Sequence, residues 1–133
     1  MANRIFYNPD GYVEVVIEGE QTYMTFENLK ADALDIMDQL QKEGKPRLGL
    51  VDITKQTNFS PDTNRAGMEI LEGLNYDKIA LFGGKRVLNE VTNAIILAMG
   101  KSSNTKLFSD RKSALEWLLG KTKSAEQEPK ATQ

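Results

Sequence analysis

The chain contains neither cysteine nor histidine among its 133 residues. Without cysteine it has no disulfide, no thiolate nucleophile and no zinc–thiolate site, which fits a reducing compartment. Without histidine it lacks the commonest general base near neutral pH and the commonest metal ligand in proteins. Histidine-based hydrolytic triads are therefore excluded, and we expect no enzyme, no metal site and no cofactor.

Long apolar runs and an excess of basic charge are also missing. The longest unbroken apolar run covers residues 94–99, far below the ~20 residues that span a bilayer. The net charge of −2 leaves no electrostatic footprint for nucleic acid. The N-terminal residues show no signal-peptide pattern. We therefore expect a cytoplasmic protein with no membrane span and no nucleic-acid partner.

The pattern of apolar residues and turns predicts an α/β fold. A turn at residues 8–11 joins two short strands in a hairpin, and strands and helices alternate after it. The order β-β-α-β-α-β-α-β-α favours a mixed, largely parallel five-stranded sheet with four helices. We expect one domain over residues 1–120. Residues 121–133 have almost nothing to bury, which predicts a disordered polar tail.

The first helix has the clearest pattern of the four. Thr25 is predicted as its N-cap, with Met24 and Leu29 forming a hydrophobic staple across it. Apolar residues then recur at three- and four-residue steps on one face: Phe26, Leu29, Ala33, Ile36, Met37 and Leu40.

Residues 47–62 are predicted to form the centre of the sheet and its functional edge. Residues 48–51 form the central strand, Asp52 is its acidic end, and a polar loop leads to Ser60 and Pro61, which open the second helix. Ligands and partners of open α/β sheets bind at the carboxyl ends of strands. We therefore predict a partner-binding surface, whose candidate residues are Asp52, Thr54, Phe59, Ser60, Asp62, Thr63 and Arg65.

The third predicted helix, residues 85–99, is apolar almost all round in its second half. A helix of this kind is buried on more than one side or exposes an apolar patch. Ordinary core packing, the wall of a ligand pocket and the seam of a homodimer all remain open. The candidate residues for a pocket or seam are Val91, Ile95, Ile96 and Met99.

The residues before this helix are a weaker candidate site. Gly83 and Gly84 follow a strand, and free backbone N–H groups together with Lys85 and Arg86 could hold a phosphate or carboxylate. The P-loop and dinucleotide patterns are both missing. A tight turn followed by solvated bases is the simpler interpretation.

Hydroxyl and carboxylate candidates also have ordinary structural uses. Ser60 could be phosphorylated at a helix start, where the helix dipole favours phosphate, but Pro61 after it supports a plain N-cap. Asp52, Asp62 and Asp77 could in principle meet at one sheet edge and hold Mg²⁺. Aspartate at such positions more often caps a helix or ends a turn.

A family resemblance lies in the second half of the chain. Residues 78–83, an apolar helix, residues 105–110 and the run Ala-Leu-Glu-Trp-Leu at 114–118 resemble small bacterial STAS-like proteins. These share the fold of the anti-sigma-factor antagonists and are described as related to lipid-binding CRAL-TRIO domains. The resemblance implies a STAS fold.

In the antagonists, a phosphorylatable serine begins the helix after the central strand and is read by a kinase partner. Asp52 matches the acidic residue at the strand end, and Ser60 and Thr63 lie near the place of the phosphosite. The Asp-Ser-Ser-Gly-like motif itself is absent, which counts against a phosphorylation switch in this chain.

These observations favour a non-enzymatic regulatory domain that binds a protein partner through the loop and helix start after the central strand. The alternative is a carrier or sensor of a small apolar, lipid-like ligand held between the third helix and the sheet. A homodimer through that helix is a further possibility.

Overall fold

The structure is a computed structural model that describes residues 3–57 and 60–120. The described residues form five strands and four helices in the predicted order. These are β1 (Arg4–Asn8), β2 (Tyr12–Gly19), α1 (Tyr23–Lys42), β3 (Leu48–Gln56), α2 (Pro61–Gly73), β4 (Lys78–Phe82), α3 (Arg86–Ala98), β5 (Thr105–Phe108) and α4 (Arg111–Leu119).

The five strands form one sheet in the order β1-β2-β3-β4-β5. β1 pairs with β2 in the antiparallel sense, and the other three pairs are parallel. The predicted hairpin, the largely parallel sheet and the central position of β3 are therefore confirmed. Each parallel connection advances by one strand in the same direction, so right-handed crossovers place α1, α2 and α3 on one face.

Alternating side chains of the strands supply two apolar layers, one on each face of the sheet. One layer joins Val13, Val15, Ile53 and Ile79 of the strands to the inward faces of α1, α2 and α3. On the opposite face α4 covers the strands, and the core there consists of Tyr12, Leu50, Ala80, Phe82, Ala114 and Leu118. The inner strands thus pack helices on both faces, as largely parallel sheets generally do, whereas the edge strand β1 exposes Phe6 and Tyr7.

The first helix begins earlier than predicted. Thr22, and not Thr25, is the N-cap of α1. Thr25 stands at the third helical position, where its hydroxyl accepts a 2.9 Å hydrogen bond from the Thr22 N–H, while Thr22 Oγ1 accepts one of 3.1 Å from the Thr25 N–H. This reciprocal capping box fixes the helix start. Met24 is exposed and forms no staple. The predicted inward face is otherwise buried or half-buried.

The central strand is longer than predicted. β3 continues through Asp52 and Thr54 to Gln56, because β2 is long enough to pair with it as far as Gln56. β4 stops opposite Asp52. Asp52 is therefore the last residue of β3 with a partner strand on both sides, and residues 53–56 project beyond β4 as an overhang. The predicted polar loop begins four residues later than expected.

The second half of α3 is not enclosed on all sides. Ile96 is 1% exposed and Leu97 is 59% exposed. Leu97 therefore belongs to an exposed apolar patch on α3, so this helix is not buried on all sides. No helix in the described ranges is long and apolar enough to cross a membrane.

Two sequence predictions fall outside the described residues. They are the polar tail at residues 121–133 and the candidate partner-binding residue Phe59. Gly120, the last described residue, ends α4 in a left-handed conformation with φ of 71°.

Candidate functional site

The loop after β4 passes directly against the overhang of β3. Gly83 has a φ of 89°, a conformation that favours glycine. A Cβ atom at Gly83 would overlap Oγ1 of Thr54. The side chain of Thr54 therefore occupies the space in which a Gly83 side chain would lie. This contact brings together Thr54 of one candidate set and Gly83 of the other. We call the candidate surface at this end of the sheet the rim: Asp52, Thr54, Ser60, Asp62, Arg65 and residues 83–86.

Asp52 organises the strand end. Its Oδ1 accepts a 2.9 Å hydrogen bond from the backbone N–H of Thr54. In register it lies opposite Phe82, and strand alternation places it on the same face as Leu50, which packs under α4. Asp52 therefore holds the backbone at Thr54 from the face of the sheet that α4 covers. The side chain of Thr54 is exposed.

Ser60 is the N-cap of α2. Its Oγ accepts a 3.2 Å hydrogen bond from the Thr63 N–H, and its hydroxyl lies 2.8 Å from that of Thr63. Thr63 is buried and also donates to the carbonyl of Gln21 at 3.3 Å. Thr63 therefore ties the start of α2 to the segment before α1. Its side chain is out of a partner's reach in this structure, which corrects its prediction as a partner-binding residue.

Asp62 and Arg65 project from the first turns of α2. Their side chains are 73% and 62% exposed and lie 3.7 Å apart. The Arg65 guanidinium also lies 5.1 Å from the ring centroid of Tyr23. Tyr23 donates a 2.6 Å hydrogen bond to Glu69, which raises the pKa of Tyr23 to about 12. The hydrogen bond between Tyr23 and Glu69 joins α1 to α2, whereas the exposed pair Asp62–Arg65 adds little to stability.

The predicted anion site lies at the start of α3. The carbonyl of Gly84 accepts a 2.8 Å hydrogen bond from Asn89 Nδ2, which closes the turn. Lys85 is the N-cap of α3 and makes no side-chain capping bond. Arg86 pairs with Glu90 at 3.2 Å and is almost fully exposed. Both cations face solvent, and anion binding here stays a prediction.

The three aspartates considered for Mg²⁺ do not converge. Asp77 immediately precedes β4, at the opposite end of the strand from the rim, and its carboxylate accepts 2.8 and 3.2 Å hydrogen bonds from Arg47. Over residues 3–57 and 60–120, no group of three or more Asp or Glu side chains could hold a metal ion. Asp52 instead accepts a hydrogen bond within β3, Asp62 pairs with Arg65 in the first turn of α2, and Asp77 pairs with Arg47.

An apolar cavity of about 140 Å³ lies between the sheet and the layer formed by α1, α2 and α3. The strands supply its floor, including Val15, Val51 and Ile79, and Gln56, Thr63, Asn64 and Thr92 add the polar groups. None of the residues that line it carries a charge. The cavity borders the starts of α2 and α3, both of which belong to the rim.

Of the four predicted wall residues on α3, only Ile95 lines this cavity. The wall of α3 consists of Leu88, Thr92 and Ile95, spaced four and three residues apart on one helical face. Ile96 is buried in the core, which corrects its prediction as a wall residue. Val91 and Met99 are half-buried and lie outside the cavity. The sequence pattern did not indicate Thr92 as a wall residue, because its hydroxyl makes it a polar residue and the pattern assigns only apolar residues to the inward face.

No protein-family model and no curated protein matches the chain. Solved structures are similar to it, and two of them show the nature of the likeness. One is an uncharacterised protein of the DUF3478 family with a SpoIIAA-like fold from Shewanella loihica PV-4, with a TM-score of 0.59, 21% identity, and coverage of 88% of this chain and 92% of that one.

The other is the anti-sigma factor antagonist SpoIIAA in its unphosphorylated form. Its TM-score is 0.60 at 10% identity, and the match covers 91% of this chain and all of that one. At these identities the likeness shows the fold alone. The chain therefore has a SpoIIAA-like, or STAS-like, fold, as its sequence predicted.

Proposed function

We propose that this domain is a non-enzymatic, cytoplasmic regulatory module that binds a protein partner through the rim. The observation that carries the proposal is the contact between Gly83 and Thr54, which joins the β3 overhang and the loop after β4 into one surface. This surface lies at the carboxyl ends of the strands, the usual binding edge of an open α/β sheet. Similarity to an anti-sigma factor antagonist supports a regulatory role.

The charges on the rim suit recognition of a protein. Asp62, Arg65, Lys85 and Arg86 are all exposed and combine both signs. Exposed ion pairs such as Asp62–Arg65 contribute little to the stability of the free domain. Their side chains are therefore free to pair with charges of a partner, where complementary potentials set specificity and association rate.

Charge reversal on α2 tests this proposal. The full chain is immobilised, retained proteins are identified by mass spectrometry, and a purified partner is titrated calorimetrically. We expect Asp62→Lys or Arg65→Glu to weaken partner binding at least tenfold with an unchanged thermal midpoint. Glu72→Lys is the matched control, because Glu72 is exposed near the other end of α2. Full affinity in both rim variants would exclude this surface.

A second candidate function, carriage or sensing of a small apolar ligand, is favoured by the cavity of about 140 Å³. The sequence alternative held the ligand between α3 and the sheet. The cavity also extends under α1 and α2, which contribute more of its lining than α3 does. Native mass spectrometry of full-length protein purified without detergent tests this function. A stoichiometric apolar molecule, released by solvent extraction, is the expected result. A clean apoprotein mass that also stays unchanged after incubation with hydrophobic compounds would contradict it.

A further inference from the structure

Two of the cavity-lining residues are glycines at positions where glycine weakens secondary structure. Gly49 lies inside β3, the central strand, and Gly67 lies in the middle of α2. Neither has a positive φ, so neither backbone conformation requires glycine. Glycine loses more conformational entropy on folding than any other residue, and it leaves no side chain to pack.

Steric crowding does not require these glycines either. A Cβ atom at Gly49 would lie 3.4 Å from Ile79 Cγ1 and 3.8 Å from Met37 Cε, and one at Gly67 would lie 3.7 Å from Phe26 Cε2. These are ordinary van der Waals distances, and all three neighbours line the cavity. Alanine would therefore fit at both positions and would occupy part of the cavity. An isolated glycine in a strand often marks a bulge, a bend, or a close approach by a ligand or another backbone segment.

The helical layer does not close over the floor of the cavity. Val51 lies in the central strand and Leu81 in its neighbour, yet both remain half-buried. Ile70 on α2 and Ile95 on α3 are half-buried too and line the same cavity. α2 packs against α1 and makes few contacts with α3. The cavity thus opens to solvent between α2 and α3.

We propose that this cavity binds an uncharged hydrocarbon group about the size of one aromatic ring or a short alkyl chain, and that Gly49 and Gly67 keep the space for it. The inference rests on the second proposed function and specifies its ligand class. An apolar cavity of about 150 Å³ stays dry and accepts benzene. The uncharged lining excludes an ionic group from the interior, because a buried charge without a partner is costly. Such a group could be a free small hydrophobe or the chain of an amphiphile whose polar end stays at the opening.

The experiment compares benzene and octanoate binding to the full-length protein and its glycine variants. Methyl signals in carbon–proton NMR spectra report binding, and Val51, Ile70 and Ile95 are the expected responders. We expect the double variant Gly49→Ala/Gly67→Ala to lose at least tenfold in benzene affinity while its thermal midpoint equals or exceeds that of the wild type. A gain in stability with a loss of binding separates a reserved binding space from a structural requirement for glycine.

Gly73→Ala is the matched control, since it removes another glycine from α2 outside the cavity, and we expect it to bind benzene as the wild type does. Tighter binding of octanoate than of benzene would support the proposal with an alkyl chain as occupant, and the reverse order would support a compact hydrophobe. If the double variant unfolds, the single variant Gly67→Ala tests the proposal instead, and we expect it to show the same loss of benzene affinity.

The two ways of failing are distinguishable. Wild-type protein that binds neither probe would overturn the ligand-carrying function together with this inference. Wild-type protein that binds, with glycine variants of equal affinity, would overturn only the role of the glycines.

Discussion

Arg111, the first residue of α4, binds both carboxylate oxygens of Glu14 in β2, at 2.8 and 3.0 Å. The two residues are 97 positions apart in the chain. Arg111 also donates to the hydroxyl of Tyr12 at 3.1 Å, and Asn8 donates to Glu14 at 3.0 Å. A carboxylate buried in the sheet is thereby satisfied, and α4 is held against β2.

Replacing Glu14 should destabilise the domain at neutral pH but much less in acid. The hydrogen bonds from Arg111 hold the pKa of Glu14 below its usual range. The pair therefore stabilises the fold fully at pH values above the ordinary glutamate pKa of about 4.3. This contribution is lost as the pH falls through the lowered pKa of the folded state. The Arg111 side chain is 42% exposed, and we expect Glu14→Gln to cost about 1–2 kcal/mol at pH 7. Urea unfolding at pH 7 and pH 3 measures both values.

Glu72→Gln is the control for this comparison, because Glu72 is an exposed carboxylate on α2. Its free energy of unfolding should stay within about 0.5 kcal/mol of the wild type at both pH values. An equal loss from Glu14→Gln at pH 7 and pH 3 would show that the charge of Glu14 contributes nothing.

Gly83→Ala should lower the free energy of unfolding more than the same replacement at another glycine with positive φ. Gly11 has a φ of 105° and nothing within 4 Å of a Cβ built there, so Gly11→Ala meets only the backbone strain. Gly83→Ala adds the overlap with Thr54, and we expect it to cost about 1–3 kcal/mol more. Urea unfolding of the two variants measures the difference.

A double variant locates the source of that difference. Thr54→Ala removes the overlapping Oγ1 but keeps Cβ, which lies 3.2 Å from the added methyl. Combined with Gly83→Ala, it should recover part of the lost stability. Equal stability of Gly83→Ala and Gly11→Ala would mean that the loop is not seated on the β3 overhang.

Ile96 and Leu97 form a matched pair of neighbours on α3 with opposite exposure. Ile96→Ala should lower the free energy of unfolding by about 2–4 kcal/mol, because it empties a fully buried site. Leu97→Ala should stay within about 0.5 kcal/mol, because Leu97 is largely exposed. Similar losses in both variants, measured by urea unfolding, would contradict the assigned orientation of this helix.

Most of the fold could be predicted from the sequence, because the spacing of apolar residues and the residues that cap helices are local signals. The inward face of α1 and the opening of α2 at Ser60 and Pro61 followed from spacing and residue type alone. The end of β3 did not, because its length depends on how far β2 runs beside it. The start of α1 was ambiguous because Thr22 and Thr25 can both cap a helix, and only the reciprocal hydrogen bonds decide between them.

The site was less accessible to sequence reasoning, because its features come from distant parts of the chain. The seating of Gly83 on Thr54 and the pairing of Glu14 with Arg111 join separate elements, although a glutamate within an otherwise apolar strand signals a buried partner. Gly49 and Gly67 carried a visible signal, namely glycine inside a strand and inside a helix. The cavity could not be predicted, because it depends on how α1, α2 and α3 pack against the sheet and each other, and no local sequence pattern determines that packing.

The most direct test of partner binding through the rim is hydrogen–deuterium exchange of the full-length domain with and without a purified partner obtained by capture. We expect protection on binding to be confined to residues 52–57, 60–65 and 83–90, with exchange in α4 unchanged. Protection centred on α4 and the strand face beneath it, with the rim unaffected, would contradict the central claim.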